Sequence, residues 1–301
     1  MPLPILTEFA IGSATGLLDC VLFHWIDTLK VRRQDGRALL MDVKTGLPLK
    51  RAALGPYLLA CVGSLYAGFS TNLSLKVPYM ASMFALNAFN NKLLSWFEGT
   101  SETAKELASA ALVGVEVSVL LSPLEMLRIQ GQNCGKGGLI SASRAVLATI
   151  PANSGLLGFW HAATRGMTAT MHREAKYTMG QFWLCAKISE MVAGGDSSPG
   201  LGAQIAGAVL GGMACTVVSH PDDVIKTRMQ THLQGASPEY AKYSTFAGSG
   251  RHIWTAEGLS ALYKGAAFRC LLRVPLGLSV IIVSGNWLRE AAEKRQQASE
   301  R

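Results

Sequence analysis

The chain has 301 residues, 49% hydrophobic and 16% charged, with a net charge of +8. A typical soluble domain carries about 25% charged residues, and the apolar content excludes a disordered chain. The cations are dispersed, with no basic run interleaved with aromatics, so the sequence points away from a nucleic-acid partner. Two classes remain: a buried helical enzyme, or a membrane protein with charges inside its spans.

Along the chain, the opening MPLPILTEFA has neither an Arg-rich amphipathic presequence nor a basic signal-peptide region. A long apolar stretch, 7–34, closes on HWIDTLKVRRQ. A mixed segment, 35–68, leads to a second apolar stretch, 69–94. The pattern then restarts twice. The stretch 104–132 closes on SPLEMLRIQGQ and is followed by 131–166 and 167–192; the stretch 202–230 closes on HPDDVIKTRMQ and is followed by 231–265 and 266–289. Asp27, Glu125 and Asp223 are spaced by 98 residues, as are Lys30, Arg128 and Lys226, and Gln34, Gln132 and Gln230. Gly16, Gly114 and Gly212 keep the same register, and Gly68, Gly166 and Gly265 follow it with one extra residue before the third. Small, acidic, basic and amide positions recurring together define a triplicated unit, with repeats at 7–98, 104–196 and 202–292.

Each unit supplies two apolar stretches of more than 20 residues, long enough for a bilayer-spanning helix. Their closely spaced Gly, Ala and Ser suit tight helix packing in lipid, and the weak β-branched alternation disfavours strands. The expected fold is therefore an all-α membrane protein with six transmembrane helices. Short amphipathic helices at 141–150 and 245–256 are expected to lie at the interface. The long mixed segments hold ten Lys/Arg and the short connectors only Lys105. That bias directs the long segments to the negatively charged compartment and both termini to the other side.

The six cysteines (20, 61, 134, 185, 215 and 270) form no CxxC pair, and the six histidines show no zinc-ligand spacing, so neither metal nor cofactor is expected. No GxGxxG, Walker A or GxSxG motif occurs, and no nucleophile constellation supports the enzyme class. Ionisable residues in a span are costly unless they face an aqueous cavity and pair. Each unit places an acid three residues before a base at a helix end. Pairing within one helix and pairing from unit to unit are both open from the spacing.

The triplet Pro-x-Asp/Glu-x-x-Lys/Arg resembles the signature of the mitochondrial carrier family. It is complete at Pro123, Glu125, Arg128 and at Pro221, Asp223, Lys226; at Asp27 and Lys30 the proline position holds Trp25. The resemblance covers about residues 7 to 292. It implies a six-helix pseudo-threefold barrel in the mitochondrial inner membrane, alternating between its faces around a central cavity. It implies a matrix gate of Asp27–Arg128, Glu125–Lys226 and Asp223–Lys30 bridges, braced by Gln34, Gln132 and Gln230. It also implies cardiolipin sites, intact at Tyr263-Lys264-Gly265 and partial at Arg165-Gly166 and at Gly68. A monomer in the lipid bilayer is expected.

Two departures from the family pattern bear on function. Trp25 removes the first odd-helix proline and with it the usual cause of a kink. On the even helices, the positions of a second ionic gate hold Ala88 and Asn91, Ala186 and Ser189, and Gly285 and Leu288. The expectation is a cytoplasmic gate closed by packing and neutral contacts.

By the same resemblance, substrate meets the even helices just before the proline-like positions Pro78, Lys176 and Pro275. There lie Lys76, Arg173, Glu174 and Arg273, a net-positive cluster suited to an anionic or zwitterionic metabolite. Arg favours bidentate carboxylate recognition, and free Lys76 and Arg273 would suit di- or tricarboxylates. The Arg-Glu pair resembles that of carriers for amino acids. The expected function is exchange of a small carboxylate-bearing metabolite; the alternative is a carrier-fold protein that binds lipid or a partner without transport.

Overall fold

The computed structural model describes residues 3–34, 40, 54–66, 69–133, 147–148, 150, 157–158, 160, 162, 164–196, 198–232 and 238–299. Of the residues singled out above, Gly68 and the side chains of Lys30, Gln34, Arg128 and Gln132 lie outside the described residues, as does most of 141–150. The described residues form helices and turns, with no strand among them. The helices are α1 (Ile5–Gln34), α2 (Leu54–Leu65), α3 (Phe69–Leu94), α4 (Glu102–Asn133), α5 (Met167–Thr178), α6 (Cys185–Val192), α7 (Leu201–Thr231), α8 (Phe246–Glu257), α9 (Ala266–Phe268) and α10 (Val274–Ser299). A π-helical turn, Met179–Leu184, joins α5 to α6 into one span; another, Arg269–Arg273, joins α9 to α10.

The six spans are thus α1, α3, α4, α5–α6, α7 and α9–α10. Each packs on its neighbours, and α1 closes the ring against α10. Four contain stretches long and apolar enough to cross a bilayer on composition alone: Ile5–Leu29, Glu102–Met126, Leu201–Thr231 and Arg269–Ala298. The other two, α3 and α5–α6, are more polar because they carry Lys76, Arg173, Glu174 and Gln181 toward the interior. Outward-facing Leu17, Val21 and Leu22 on α1 and Val217 and Val218 on α7 are exposed, the surface expected of an α-helical membrane protein.

The repeated glycines explain why neighbouring spans lie so close. A Cβ on Gly16 would meet Met80, one on Gly114 the backbone of Glu174 and Ala175, and one on Gly212 the Leu278 side chain. The same glycine in all three units presses its span onto the next, as small residues do between membrane helices. The pseudo-symmetry extends to side chains. His24 lies 5.8 Å from the Tyr66 ring, and His220, its counterpart in the third unit, lies 6.2 Å from Tyr263.

Local departures from regular α-helix have partial causes. Pro275 lacks an N–H, which frees a carbonyl one turn earlier, and the π turn at Arg269–Arg273 lies there. The turn at Met179–Leu184 has no proline; Gly180 sits within it, with Cys215 in the space a side chain would take. Where Trp25 replaces proline, α1 runs on unbroken, and Trp25 Nε1 donates to the Leu22 carbonyl at 2.8 Å.

The expected helix at 245–256 is α8. Thr245 caps it by accepting from the Gly248 N–H at 3.2 Å, a standard way to satisfy a free helix-end donor. Ile253 and Tyr243 fasten it to Ile225 and Met229 of α7. In the first unit, α2 is an apolar helix the sequence pattern did not single out, with Leu58, Leu59 and Val62 exposed.

Candidate functional site

Inside the ring lies a cavity of about 230 Å³. Four cations line it, Lys76, Arg173, Arg269 and Arg273, and so do four carboxylates, Asp19, Asp27, Glu125 and Glu174. Buried charges persist only when paired, and these are grouped into two clusters.

The first cluster joins units one and three. Arg273 donates from Nη1 and Nη2 to Asp19 at 3.1 and 2.9 Å, and from Nε to Asp27 at 2.7 Å. Lys76 also pairs with Asp19, whose side chain is fully buried. Asp19 and Asp27 are eight residues apart on α1, about two turns, and so share a face. Gly277 makes room for this arrangement: a side chain there would collide with the Arg273 guanidinium and Asp19.

The second cluster joins units two and three. Arg173 pairs with Glu174, which also accepts from the Tyr79 hydroxyl at 2.7 Å. Arg173 lies 3.6 Å from both Glu125 and Asp223. Arg269 approaches Asp223 at 3.1 Å, an ion pair whose alignment falls short of a hydrogen bond. Lys226 pairs with Glu125, which is one of the three inter-unit bridges that the family resemblance implies. The other two involve Lys30 and Arg128, whose side chains lie outside the described residues.

The four residues expected at the substrate site, Lys76, Arg173, Glu174 and Arg273, do share one cavity. One expectation needs correction. Lys76 and Arg273 are not free cations, because both pair with Asp19 and Arg273 pairs with Asp27 as well. Sequence reasoning missed Asp19, although an acid inside the apolar run 16–23 was a usable signal. It also missed Arg269 and Tyr79. The counterparts of Arg269 in the other units are the neutral Asn72 and Thr170, so comparing repeats did not mark that position as charged.

Glu8 pairs with Arg289, so both termini lie at one face of the ring. Between the cavity and this terminal face runs an apolar layer. Phe84 and Ile281 are buried in it, Phe182 packs against it, and the Phe84 and Phe182 rings meet edge-on at 5.7 Å. These three positions are equivalent in the three units. Beyond the layer, Asn90 donates to Glu116 at 2.8 Å and Asn286 to Gln204 at 3.2 Å. The expectation of packing and neutral contacts in place of an ionic ring is modified by ion pairs at this face: Lys187 donates to Glu190 at 3.0 Å, and Arg289 donates to Glu8 at 2.9 Å and lies over the Phe84 ring. Counting along the even helices misses the Arg289 pair, because Arg289 follows the expected base position by one residue and its acid comes from α1.

Toward the opposite face, Gly166 and Gly265 adopt left-handed backbone at φ 75° and 86°, each just before a helix N-terminus. Lys264 beside Gly265 is exposed. Arg165 was expected at a lipid headgroup, but its side chain is committed to protein. It donates to the carbonyls of Met229 at 2.8 Å and Tyr243 at 3.1 Å and stacks on Tyr240. Gln230 is buried against Gly166 and donates to the Arg165 carbonyl at 3.3 Å.

Comparison with known proteins agrees with this architecture. The family model described as mitochondrial carrier protein matches residues 99–195 and 197–283. Mitochondrial glutamate carrier 2 of Mus musculus is 30% identical over 88% of each chain. Mitochondrial glutamate carrier 1 of the same species is 28% identical over 90% of each. Mitochondrial 2-oxodicarboxylate carrier 2 of Saccharomyces cerevisiae is 27% identical over 94% of this chain and 92% of its own.

Proposed function

The chain belongs to the mitochondrial carrier family, and we propose that it exchanges a small carboxylate-bearing metabolite across the mitochondrial inner membrane by alternating access. The carrying observation is the cavity with equal numbers of cations and carboxylates, all on spans from three units. Such a lining suits a solute bearing both charges, and an amino dicarboxylate of the glutamate type fits it first. A di- or tricarboxylate is the next candidate. The names of the similar carriers, glutamate and 2-oxodicarboxylate, point the same way.

In this mechanism, solute carboxylates displace Glu174 from Arg173, and Asp19 and Asp27 from Arg273. Bidentate Arg–carboxylate pairing makes the exchange nearly balanced, because one pair replaces another. The bridges Asp27–Arg128, Glu125–Lys226 and Asp223–Lys30, with Gln34, Gln132 and Gln230 as braces, form the gate at the face opposite the termini. The basic bias of the long segments places that face toward the matrix and both termini toward the intermembrane space. Helix N-termini at Gly166 and Gly265 present N–H groups suited to lipid phosphate, and cardiolipin is the proposed occupant, with the monomer as the working unit.

The second reading, lipid or partner binding without transport, draws on the terminal face, where the pairs Arg289–Glu8 and Lys187–Glu190 lie off the expected positions of an ionic ring. Uptake into liposomes separates the two. The exchanger reading expects labelled L-glutamate or a 2-oxodicarboxylate to enter only when a counter-solute is loaded inside. No exchange with any carboxylate, together with a melting temperature raised by cardiolipin alone, favours the second reading.

A further inference from the structure

Gln181 is 4% exposed, and neither its Nε2 nor its Oε1 has a hydrogen-bond partner among the described residues. A buried amide left unsatisfied is a standing cost, and Gln181 occupies no incidental place. It lines the central cavity, and it also lines a second cavity of about 220 Å³ toward the terminal face, beside Arg289, Asn286 and Gln204. It therefore stands where the two cavities adjoin. Its neighbours in sequence are both committed to packing: Gly180 against Cys215 of α7, and Phe182 against Phe84. All three lie in the π turn Met179–Leu184, a feature frequent at functional sites. The equivalent positions in the other units are Met83 and Val280, so the amide is an asymmetry of this one helix.

We propose that Gln181 is a solute contact. Its N–H donates to the carboxylate that faces the terminal side, and its carbonyl accepts from a solute ammonium. Seven residues separate it from Glu174, roughly 10 Å along a helix axis and on nearly the same face. A short dicarboxylate held at one end by Arg173 is thus met at the other by Gln181. The proposal rests on the exchanger reading.

The test is Gln181→Leu in the full-length protein, which keeps the bulk and removes both polar atoms, with Gln181→Met as a second variant. L-glutamate and 2-oxoglutarate are the probes, in liposome exchange and in thermal melting. The expected result is a KM raised roughly tenfold or more, with a melting temperature without solute unchanged or higher than that of the wild type. A folded Leu variant with wild-type KM overturns the assignment and leaves the amide to bound water. A lower melting temperature in both variants overturns it too, by showing a structural bond. A wild-type protein that moves neither solute overturns the exchanger reading and this assignment together; wild-type exchange with an unaltered Leu variant overturns the assignment alone.

Discussion

Arg273 of the third unit donates from Nε to Asp27 of the first at 2.7 Å, across 246 residues of sequence. Asp27 is the signature acid in the last turns of α1, and Arg273 is a cavity cation, so the pair ties a position of the proposed gate to the cavity. The same tie recurs around the ring. Glu125 and Asp223 each lie 3.6 Å from Arg173, and Asp223 lies 3.1 Å from Arg269. In the proposed mechanism a carboxylate arriving in the cavity competes with all three signature acids, which would couple solute binding to the proposed gate through shared cations.

Asp19 is expected to tune this competition, because it pairs with both Lys76 and Arg273 from a fully buried position. Asp19→Asn is expected to lower stability by about 3 kcal/mol, the usual penalty for breaking a buried charge pair. It is also expected to shift selectivity several-fold from L-glutamate toward a 2-oxodicarboxylate, since the cavity gains one net positive charge. Competition between the two solutes in liposome exchange, with a melting curve alongside, measures both effects. An unchanged selectivity ratio contradicts this role.

Arg173→Ala and Arg273→Ala are each expected to reduce exchange by a factor corresponding to about 2–5 kcal/mol, because each leaves a buried carboxylate or the solute unpaired. Initial rates over a range of external solute check this. Activity near wild type in both variants argues against the cavity as the binding site.

The apolar layer of Phe84, Phe182 and Ile281 separates the cavity from the terminal face. Phe182→Ala is expected to raise unidirectional efflux from liposomes lacking a counter-solute, while exchange persists. Phe84, at 3% exposure, should cost more on truncation, roughly 3–5 kcal/mol for Phe→Ala, seen as the larger fall in melting temperature.

The Glu125–Lys226 pair is open to charge reversal. Glu125→Lys is expected to abolish exchange by setting two cations against each other, and Glu125→Lys with Lys226→Glu to recover part of it. A double-mutant cycle on exchange rates should return a coupling of about 0.5–3 kcal/mol. Strict additivity would mean that the pair carries no function.

The shared register of three units reveals the spans, the signature acids and the packing glycines, because these positions serve one task in every unit. Gly16, Gly114 and Gly212 illustrate this: each lies against the span that follows it. Features that break the symmetry stay hidden from such comparison. Asp19 has Val117 and Cys215 as counterparts, and Arg269 has Asn72 and Thr170, so neither is marked by repetition. Glu8 and Arg289 escape for a related reason: their pair crosses from α10 to α1, and no motif along one helix contains both.

Periodicity and charge within apolar runs are local properties, so the class, the threefold register and the six spans are legible from the residues alone; Lys76, Arg173 and Arg273 are picked out as cavity cations only through the family resemblance. Which charge pairs with which is visible only once the spans are packed together. Ion pairing depends on distances of a few ångströms between spans far apart in sequence, and desolvation makes each such partner decisive. Hence a cluster that looked like excess positive charge became a balanced one once Asp19 and Asp27 were found on Arg273.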